Sequence, residues 1–196
     1  TDRGTVVWSR PAPGELATVN ESNAWFIFYG DHLVAAARES IEVVDLTDGK
    51  LLWRRDLDGS LMDVEVVGGI VLGLVRVSGR PEYYQLLGFG LETGVQSMAL
   101  VIPQGNPRMM TVKNRVFLTF QLPADSEEVG RPLLEIDPLF GSVVSEAMIP
   151  LDLPFVQRVV HQQEAILLKG LMGATKKFGL FDLREAGTSW RKEVAI

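Results

Sequence analysis

A short pattern recurs along the chain at an almost constant spacing. Its clearest copy spans residues 45–53 and reads DLTDGKLLW: an aspartate, then a turn, a glycine and finally Trp53. Related segments end at Trp8, Met98, Ser145 and Trp190, so the equivalent positions lie 45, 45, 47 and 45 residues apart. A fixed period of this length indicates a repeat architecture, in which each repeat is one unit that packs against its neighbours.

Each residue type in the pattern has a physical role. The glycine accepts the positive φ that a tight hairpin turn demands, and the aspartate can hydrogen-bond the backbone of the turn. We expect the tryptophan to pack between adjacent repeats. The residues that we assign to this structural repeat are Trp8, Asp45, Gly49, Trp53, Asp137, Gly141, Asp182 and Trp190.

Between the repeated turns, the chain consists of short apolar or alternating runs divided by turn residues. This pattern is typical of β-strands, and no long stretch shows the spacing of a helix. Four antiparallel strands in every ~45 residues are typical of a β-propeller blade. We therefore predict an all-β fold, a β-propeller of four four-stranded antiparallel blades.

The predicted blades are residues 11–57, 58–102, 103–149 and 150–196, and residues 1–10 form the outer strand of a preceding blade. Four blades alone could in principle close into a ring, but that first strand belongs to another blade. Further chain, a second copy of this chain or a partner protein would complete the ring.

Residues 43–53, which read VVDLTDGKLLW, resemble the tryptophan-docking repeat of the quinoprotein-like, or PQQ-like, β-propellers. The copies that end at Trp8 and Trp190 keep the tryptophan, whereas those that end at Met98 and Ser145 have lost it. The family includes dehydrogenases that bind pyrroloquinoline quinone (PQQ) and calcium, and non-catalytic propellers. Since the chain has no cysteine and no positions that match the calcium ligands, it is more similar to the non-catalytic kind.

The resemblance implies a non-catalytic protein-interaction scaffold or sensor, with no catalytic residue and no cofactor. Quinoprotein-like rings usually have seven or eight blades, so the resemblance implies that these four blades are a partial ring of a larger propeller. It also implies a location outside the cytoplasm, in the periplasm or at a cell surface, and a protein partner or second copy that completes the propeller. The alternative is a fragment of a PQQ- and calcium-dependent quinoprotein dehydrogenase. A third interpretation, a sugar-binding propeller, rests on the aromatic rings of Trp25, Tyr83 and Tyr84.

Composition argues against several other partners. The net charge is −6, with 19 Lys+Arg against 25 Asp+Glu, and no basic run is present, so we expect no nucleic-acid binding. The longest uncharged apolar stretch, residues 66–75, contains three glycines and is far shorter than the ~20 residues of a spanning helix. We therefore expect no membrane insertion by this segment. His32 and His161 lack the spacing of metal ligands, so we expect no metal site.

The loops on one side of the predicted blades vary in length, whereas the hairpins on the other side are uniformly short. The variable loops include residues 38–40, 78–82, 122–132 and 171–176. Binding residues concentrate on variable loops that a rigid scaffold holds. We therefore select Arg80, Glu127, Glu128 and Arg131 as candidate interaction residues. The alternative is that the longest loop is a solvated surface insertion.

Overall fold

The structure is a computed structural model that describes residue 9 and residues 24–79, 81–102, 105–120, 130–150, 160–162, 165–172, 175–182 and 189–195. At residues 130, 131, 149 and 150, and from residue 160 onward, it describes the backbone alone. The described residues form sixteen strands and no helix, in four four-stranded sheets whose neighbouring strands are antiparallel. The predicted all-β fold of four-stranded antiparallel sheets is confirmed.

The chain divides into two compact units, residues 1–103 and residues 104–196. The first unit contains sheet 1, with the strand order β1-β2-β3-β4, and sheet 2, with the order β5-β6-β7-β8. The strands of sheet 1 are β1 (Trp25–Tyr29), β2 (His32–Ala37), β3 (Ser40–Asp45) and β4 (Leu51–Asp56). Those of sheet 2 are β5 (Ser60–Val67), β6 (Ile70–Val77), β7 (Tyr83–Gly90) and β8 (Gln96–Ile102).

The second unit contains sheet 3, with the order β12-β11-β10-β9, and sheet 4, with the order β13-β14-β15-β16. The strands of sheet 3 are β9 (Pro107–Val112), β10 (Arg115–Phe120), β11 (Gly130–Ile136) and β12 (Val143–Pro150). Those of sheet 4 are β13 (Val160–Gln162), β14 (Ala165–Met172), β15 (Thr175–Asp182) and β16 (Ser189–Ala195).

The repeated sequence pattern folds into the same turn between the third and fourth strands of sheets 1, 2 and 3. In sheet 1, the N–H of Asp45 donates to the carbonyl of Lys50, and the N–H of Gly49 donates to the carbonyl of Asp45, both at 2.9 Å. The same two bonds recur in the turns that begin at Gly90 and Asp137. The turn glycines all have positive φ: Gly49 at +71°, Gly94 at +63° and Gly141 at +67°. The periodic glycine is therefore explained by a backbone conformation that other residues rarely adopt.

The fourth strand of each sheet pairs with the third through a shift of register. In sheet 1, Val43 pairs with Trp53 and Val44 pairs with Leu51, so Leu52 forms a bulge. Because side chains alternate between the two faces of a strand, one extra residue changes which face every later side chain occupies. The bulge therefore determines the face on which Trp53 lies.

Sheet 4 departs from the register of the other three sheets. Their register would pair Leu180 with Trp190, whereas Leu180 pairs with Lys192 and Phe181 pairs with Trp190. Lys192 lies twelve residues after its partner Leu180, whereas Trp53 lies ten residues after its partner Val43 in sheet 1. Trp190 consequently lies nearer the turn than the position that Trp53 occupies in sheet 1.

Two predicted loops are shorter than expected. Residues 130–132 belong to β11, where they pair with residues 148–150 of β12. Pro132 has no N–H to donate, but it lies beyond the stretch of β11 that pairs with β10, so the strand tolerates it. The predicted loop 171–176 reduces to residues 173–174, because residues 171–172 pair with residues 175–176.

The core of the first unit is formed by apolar side chains of sheets 1 and 2. One cluster of buried residues in this core joins Val34, Ala36, Ile41, Val43 and Trp53 of sheet 1 to Leu61, Val64, Val71, Val75, Phe89 and Leu91 of sheet 2. Gly73 lets the two sheets approach closely, since a Cβ there would lie 3.1 Å from Cδ1 of Ile41 and 3.3 Å from Cδ1 of Leu61. This packing holds the hairpins of the two sheets in a defined arrangement.

Candidate functional site

Trp53, on β4, anchors sheet 1 to the β7–β8 turn of sheet 2. Its indole Nε1–H donates a 2.6 Å hydrogen bond to the carbonyl of Leu91, and its ring centroid lies 6.1 Å from that of Phe89. Gly94 lies against the indole, because a Cβ there would be 2.6 Å from Cγ of Trp53. Arg55 adds a second link, since its Nε–H donates to the carbonyl of Gly94 at 2.9 Å. Trp53 thus connects two successive repeats.

Three hairpin ends of the first unit surround an open depression of about 430 Å³, which we name the hairpin depression. Its lining consists of residues 29–32, Gly69 and residues 90–93. Backbone bonds hold two of these hairpins: the N–H of Leu46 donates to the carbonyl of Asp31 at 2.8 Å, and the N–H of Leu91 donates to that of Gly69 at 2.9 Å. A space of this size can hold a small ligand or a partner's side chain.

The hairpin depression combines an aromatic ring with two carboxylates. Tyr29 is 37% exposed, His32 is half-buried, and Asp31 and Glu92 are exposed. The carboxylates of Asp31 and Glu92 make no hydrogen bond or ion pair with the part of the chain that the structure describes. Their charges are therefore available to a ligand.

Asp45, at the start of the β3–β4 turn, has a structural role instead. The hydroxyl and the N–H of Thr47 donate to its Oδ1 at 2.5 and 2.7 Å. These bonds, and the smaller effect of the neighbouring His32, hold the pKa of Asp45 below its usual value of 3.8. The Asp45 carboxylate therefore stabilises its own turn.

The β11–β12 turn of sheet 3 exposes a group of apolar side chains that we name the apolar turn. Leu139 and Phe140 are 53% and 79% exposed, and Val143 and Val144 are 49% and 61% exposed. The N–H groups of Leu139 and Phe140 donate to Oδ1 of Asp137 at 2.8 and 3.2 Å. The residues at the same tip positions of the other two described turns are polar: Thr47 and Asp48 in sheet 1, and Glu92 and Thr93 in sheet 2. The turn geometry therefore does not require apolar residues.

In sheet 3, Ser145 takes the register position that Trp53 has in sheet 1, and it joins a polar network. The Oγ–H of Ser145 donates to Glu135 at 2.9 Å, and Arg115 donates to both oxygens of the same carboxylate at 2.6 and 2.7 Å. The bonds from Arg115 lower the pKa of Glu135 from its usual value, although partial burial opposes them. This network serves the sheet and offers no free reactive group.

The sequence-selected interaction residues do not form a described site. Arg80, Glu127 and Glu128 lie outside the described residues, and Arg131 is described by its backbone alone, in β11. Among the repeat residues, Trp8 lies outside the described part, and Asp182 and Trp190 are described by their backbone alone. Their proposed roles remain predictions.

The aromatic residues considered for sugar binding are largely engaged in the fold. Tyr84 is 7% exposed, and its hydroxyl donates to Glu82 at 3.2 Å. Trp25 is half-buried and packs against the core of the first unit, and Tyr83 is half-buried. Tyr29, which the sequence analysis did not select, offers a more accessible ring.

Neither the hairpin depression nor the apolar turn was selected from the sequence. The lining of the depression comes from short hairpins that are distant along the chain, so no local motif marks it. A signal for the apolar turn was present, because alignment of the repeated turns places Leu139 and Phe140 where the other copies have polar residues. The replacement of polar by apolar residues at equivalent positions of the repeat is therefore the sequence pattern that indicates this exposed apolar surface.

Within the described part of the chain, no three histidine, aspartate or glutamate side chains lie together as metal ligands would. None of the described segments is a helix of the length and hydropathy needed to cross a membrane.

Comparison with known proteins shows similarity at the level of the fold. No protein-family model matches the chain. No curated protein matches it either. The solved structures that resemble it include BamB from Moraxella catarrhalis, with a TM-score of 0.58 and 14% identity over 85% of this chain and 47% of that one.

Two further structures match with a TM-score of 0.54 and 11% identity. The first is the N-terminal domain of Nup159, whose match covers 88% of this chain and 48% of that one. The second is a europium-containing methanol dehydrogenase, whose match covers 84% of this chain and 40% of that one. The chain thus spans about half the length of the solved structures it matches, or less. These neighbours are propeller proteins, and the fold of this chain is that of a β-propeller.

Proposed function

We propose that this chain is a non-catalytic, protein-binding segment of a quinoprotein-like propeller, and that it works in an assembly outside the cytoplasm. The observation that carries the proposal is the apolar turn of sheet 3. Leu139, Phe140, Val143 and Val144 place four exposed apolar side chains within six consecutive residues. Contiguous exposed apolar surface is a feature of protein interaction sites.

The apolar turn has no evident structural purpose within its own hairpin. The turns of sheets 1 and 2 adopt the same backbone hydrogen bonds with polar residues at their tips. Since apolar side chains at those positions contribute nothing to the turn, their value lies in contact with another surface. Phe140, at 79% exposure, is the expected anchor, because aromatic residues dominate the energetics of protein interfaces.

The charges around the apolar turn favour a protein over an anionic membrane. The nearest acidic groups along the chain are Asp137, at the start of the turn, and Glu146, exposed on β12. A membrane surface of anionic lipids attracts basic residues and repels acidic ones. An apolar pocket with a basic rim on a partner protein fits this surface better.

One solved neighbour supplies a precedent for a propeller that binds proteins. The structure of Saccharomyces cerevisiae Dbp5 bound to Nup159 matches this chain with a TM-score of 0.54 and 11% identity. Similarity at this level supports the fold, and the choice of a protein partner for this chain rests on the apolar turn.

Site-specific photo-crosslinking tests the proposal. A benzoyl-phenylalanine at position 140 should crosslink to a protein in the source cells, whereas the same group at Asp48, at the equivalent tip position of the β3–β4 turn of sheet 1, should not. The captured protein, once purified, should bind Phe140→Ser about tenfold more weakly than the wild type. Val95→Ser is the matched control, because Val95 is an exposed apolar residue at 62% exposure on another turn. Equal crosslinking at positions 48 and 140, or equal loss of affinity in both variants, would contradict the proposal.

The second candidate function is a fragment of a PQQ-dependent dehydrogenase, which the similarity to methanol dehydrogenase keeps open. Titration of the purified chain with PQQ and calcium, followed by absorbance, and then reduction of a redox dye with methanol as the electron donor, distinguishes the two functions. Saturable PQQ binding with dye reduction would favour the dehydrogenase and overturn the non-catalytic proposal.

A further inference from the structure

We propose that the hairpin depression of the first unit binds a guanidinium group, carried by a free ligand or by an arginine side chain of a protein. The site uses residues 29–32, Gly69 and residues 90–93, and therefore none of the residues of the apolar turn. The inference stands on the shape of the depression, on the side chains around it and on a comparison with the equivalent hairpin of sheet 2.

The β1–β2 hairpin of sheet 1 and the β5–β6 hairpin of sheet 2 are held in the same way. In each, a turn carbonyl accepts the N–H of a leucine in the β3–β4 or β7–β8 turn: Asp31 from Leu46 at 2.8 Å, and Gly69 from Leu91 at 2.9 Å. The hairpin of sheet 1 reads YGDH over residues 29–32, whereas that of sheet 2 reads VGGI over residues 67–70. The side chains of Tyr29 and Asp31 are therefore not needed to form the hairpin.

The charge of the depression is acidic and uncompensated. Asp31 and Glu92 both line it, and no lysine or arginine is among its nine lining residues. Neither carboxylate bonds to another residue within the described part of the chain. An incoming cation would therefore gain attraction without breaking an existing ion pair.

Two glycines of the lining border open space, since a Cβ built on Gly30 or Gly69 would meet no atom within 4 Å. Leu91 and the partly exposed ring of Tyr29 give the depression an apolar component. A ligand that fits must combine positive charge with a flat surface that can lie against an aromatic ring.

A guanidinium group meets these requirements better than an ammonium group. It is planar, it is always charged, and it donates hydrogen bonds in a fixed fork that suits carboxylates. It also stacks on aromatic faces while its charge is attracted to the ring. Lysine, a compact and strongly hydrated point charge, gains less from the Tyr29 ring.

Calorimetric titration of the purified chain tests the inference. The probes are a tripeptide Gly-Arg-Gly with blocked ends, its citrulline counterpart, which has the same shape without the charge, and arginine methyl ester as a free cation. We expect saturable binding of the arginine probes and about tenfold weaker binding, or none, of the citrulline peptide. Tighter binding of the peptide than of the ester identifies a protein side chain as the natural ligand, and the reverse order identifies a free cation; both outcomes support the guanidinium site.

Matched variants assign the binding to the depression. The double variant Asp31→Asn, Glu92→Gln should weaken the arginine peptide about tenfold. Glu39→Gln removes the same kind of charge from the β2–β3 turn, at the opposite end of sheet 1, and should leave the affinity unchanged. All the substituted side chains are exposed, and unchanged far-UV circular dichroism would verify their folding. Equal affinity of the wild type and the double variant, equal binding of citrulline, or no binding at about 10 mM probe would overturn the proposal.

Discussion

Replacing Gly94 by alanine tests whether Trp53 docks on the β7–β8 turn as described. A Cβ on Gly94 would lie 2.6 Å from Cγ and 2.7 Å from Cδ2 of Trp53. Carbon atoms that are not bonded prefer separations of about 3.5–4.0 Å, so the indole would have to move by roughly 1 Å. That movement would strain the 2.6 Å hydrogen bond that holds the indole to the carbonyl of Leu91.

Two separate costs contribute to the expected destabilisation by Gly94→Ala. The φ of Gly94 is +63°, and an L residue in this conformation costs about 1–2 kcal/mol. Overpacking a filled core position typically costs a further ~1–3 kcal/mol. We therefore expect the variant to lower the free energy of unfolding by about 2–5 kcal/mol.

Gly68→Ala is the matched control for this experiment. Gly68 has a φ of +57°, but a Cβ there would meet no atom within 4 Å, so only the conformational cost of about 1–2 kcal/mol applies. Urea denaturation followed by far-UV circular dichroism measures the free energy of unfolding of both variants. In a Trp53→Ala background the effect of Gly94→Ala should fall close to that of the control, because Cγ and Cδ2 of Trp53 are gone and only Cβ of residue 53, at 3.0 Å, remains near the new methyl group.

Equal destabilisation by Gly94→Ala and Gly68→Ala would refute the reasoning. So would an effect of Gly94→Ala that is unchanged in the Trp53→Ala background. Either result would mean that the indole does not lie against Gly94 in solution.

Three further predictions concern other contacts. Trp53→Phe should lower the free energy of unfolding by about 1–3 kcal/mol in urea denaturation, because the buried carbonyl of Leu91 loses its donor; Trp25→Phe, at a half-buried position, should cost less. Glu135→Gln should destabilise the chain by about 1–2 kcal/mol near pH 7. Since the pKa of Glu135 is lowered in the folded chain, its contribution is present above its usual value of 4.5 and is lost as the pH falls through the lowered value, so wild type and variant should converge at low pH. Phe140→Ser should change the free energy of unfolding by less than about 0.5 kcal/mol in thermal denaturation, because the ring is 79% exposed, and a larger loss would place Phe140 in the core instead.

The sequence predicted the structure best at positions where a single physical requirement, such as a positive φ or a packing contact, explains the residue type. The periodic glycines predicted the turns, since Gly49 and Gly141 both take the positive φ that a tight turn demands. Tryptophan was predicted to pack between repeats, and Trp53 does so against Leu91 and Gly94. These features are local, or depend on a neighbour at a fixed distance along the chain.

The features that the sequence did not predict depend on spacing or on the meeting of distant segments. Trp190 follows Asp182 by eight residues, as Trp53 follows Asp45, yet it pairs with Phe181, one position nearer the turn, so the shared motif spacing does not determine the register. Arg131 falls in β11 because a strand can extend past its inner neighbour while it still pairs with β12. The hairpin depression gathers Tyr29, Gly69 and Glu92 from three hairpins, so it becomes visible only in three dimensions.

The hydrogen bond from Trp53 to Leu91 also determines how unfolding spreads through the first unit. Because the indole belongs to one sheet and its acceptor to the next, opening of sheet 2 exposes the aromatic side chain of sheet 1 to water. In repeat proteins, such nearest-neighbour couplings make the melting of one repeat depend on the state of the next. Amide hydrogen exchange in β3 and β4 should therefore slow or accelerate together with that in β7, so the two sheets behave as one cooperative unit to which Trp53 contributes a buried hydrogen bond.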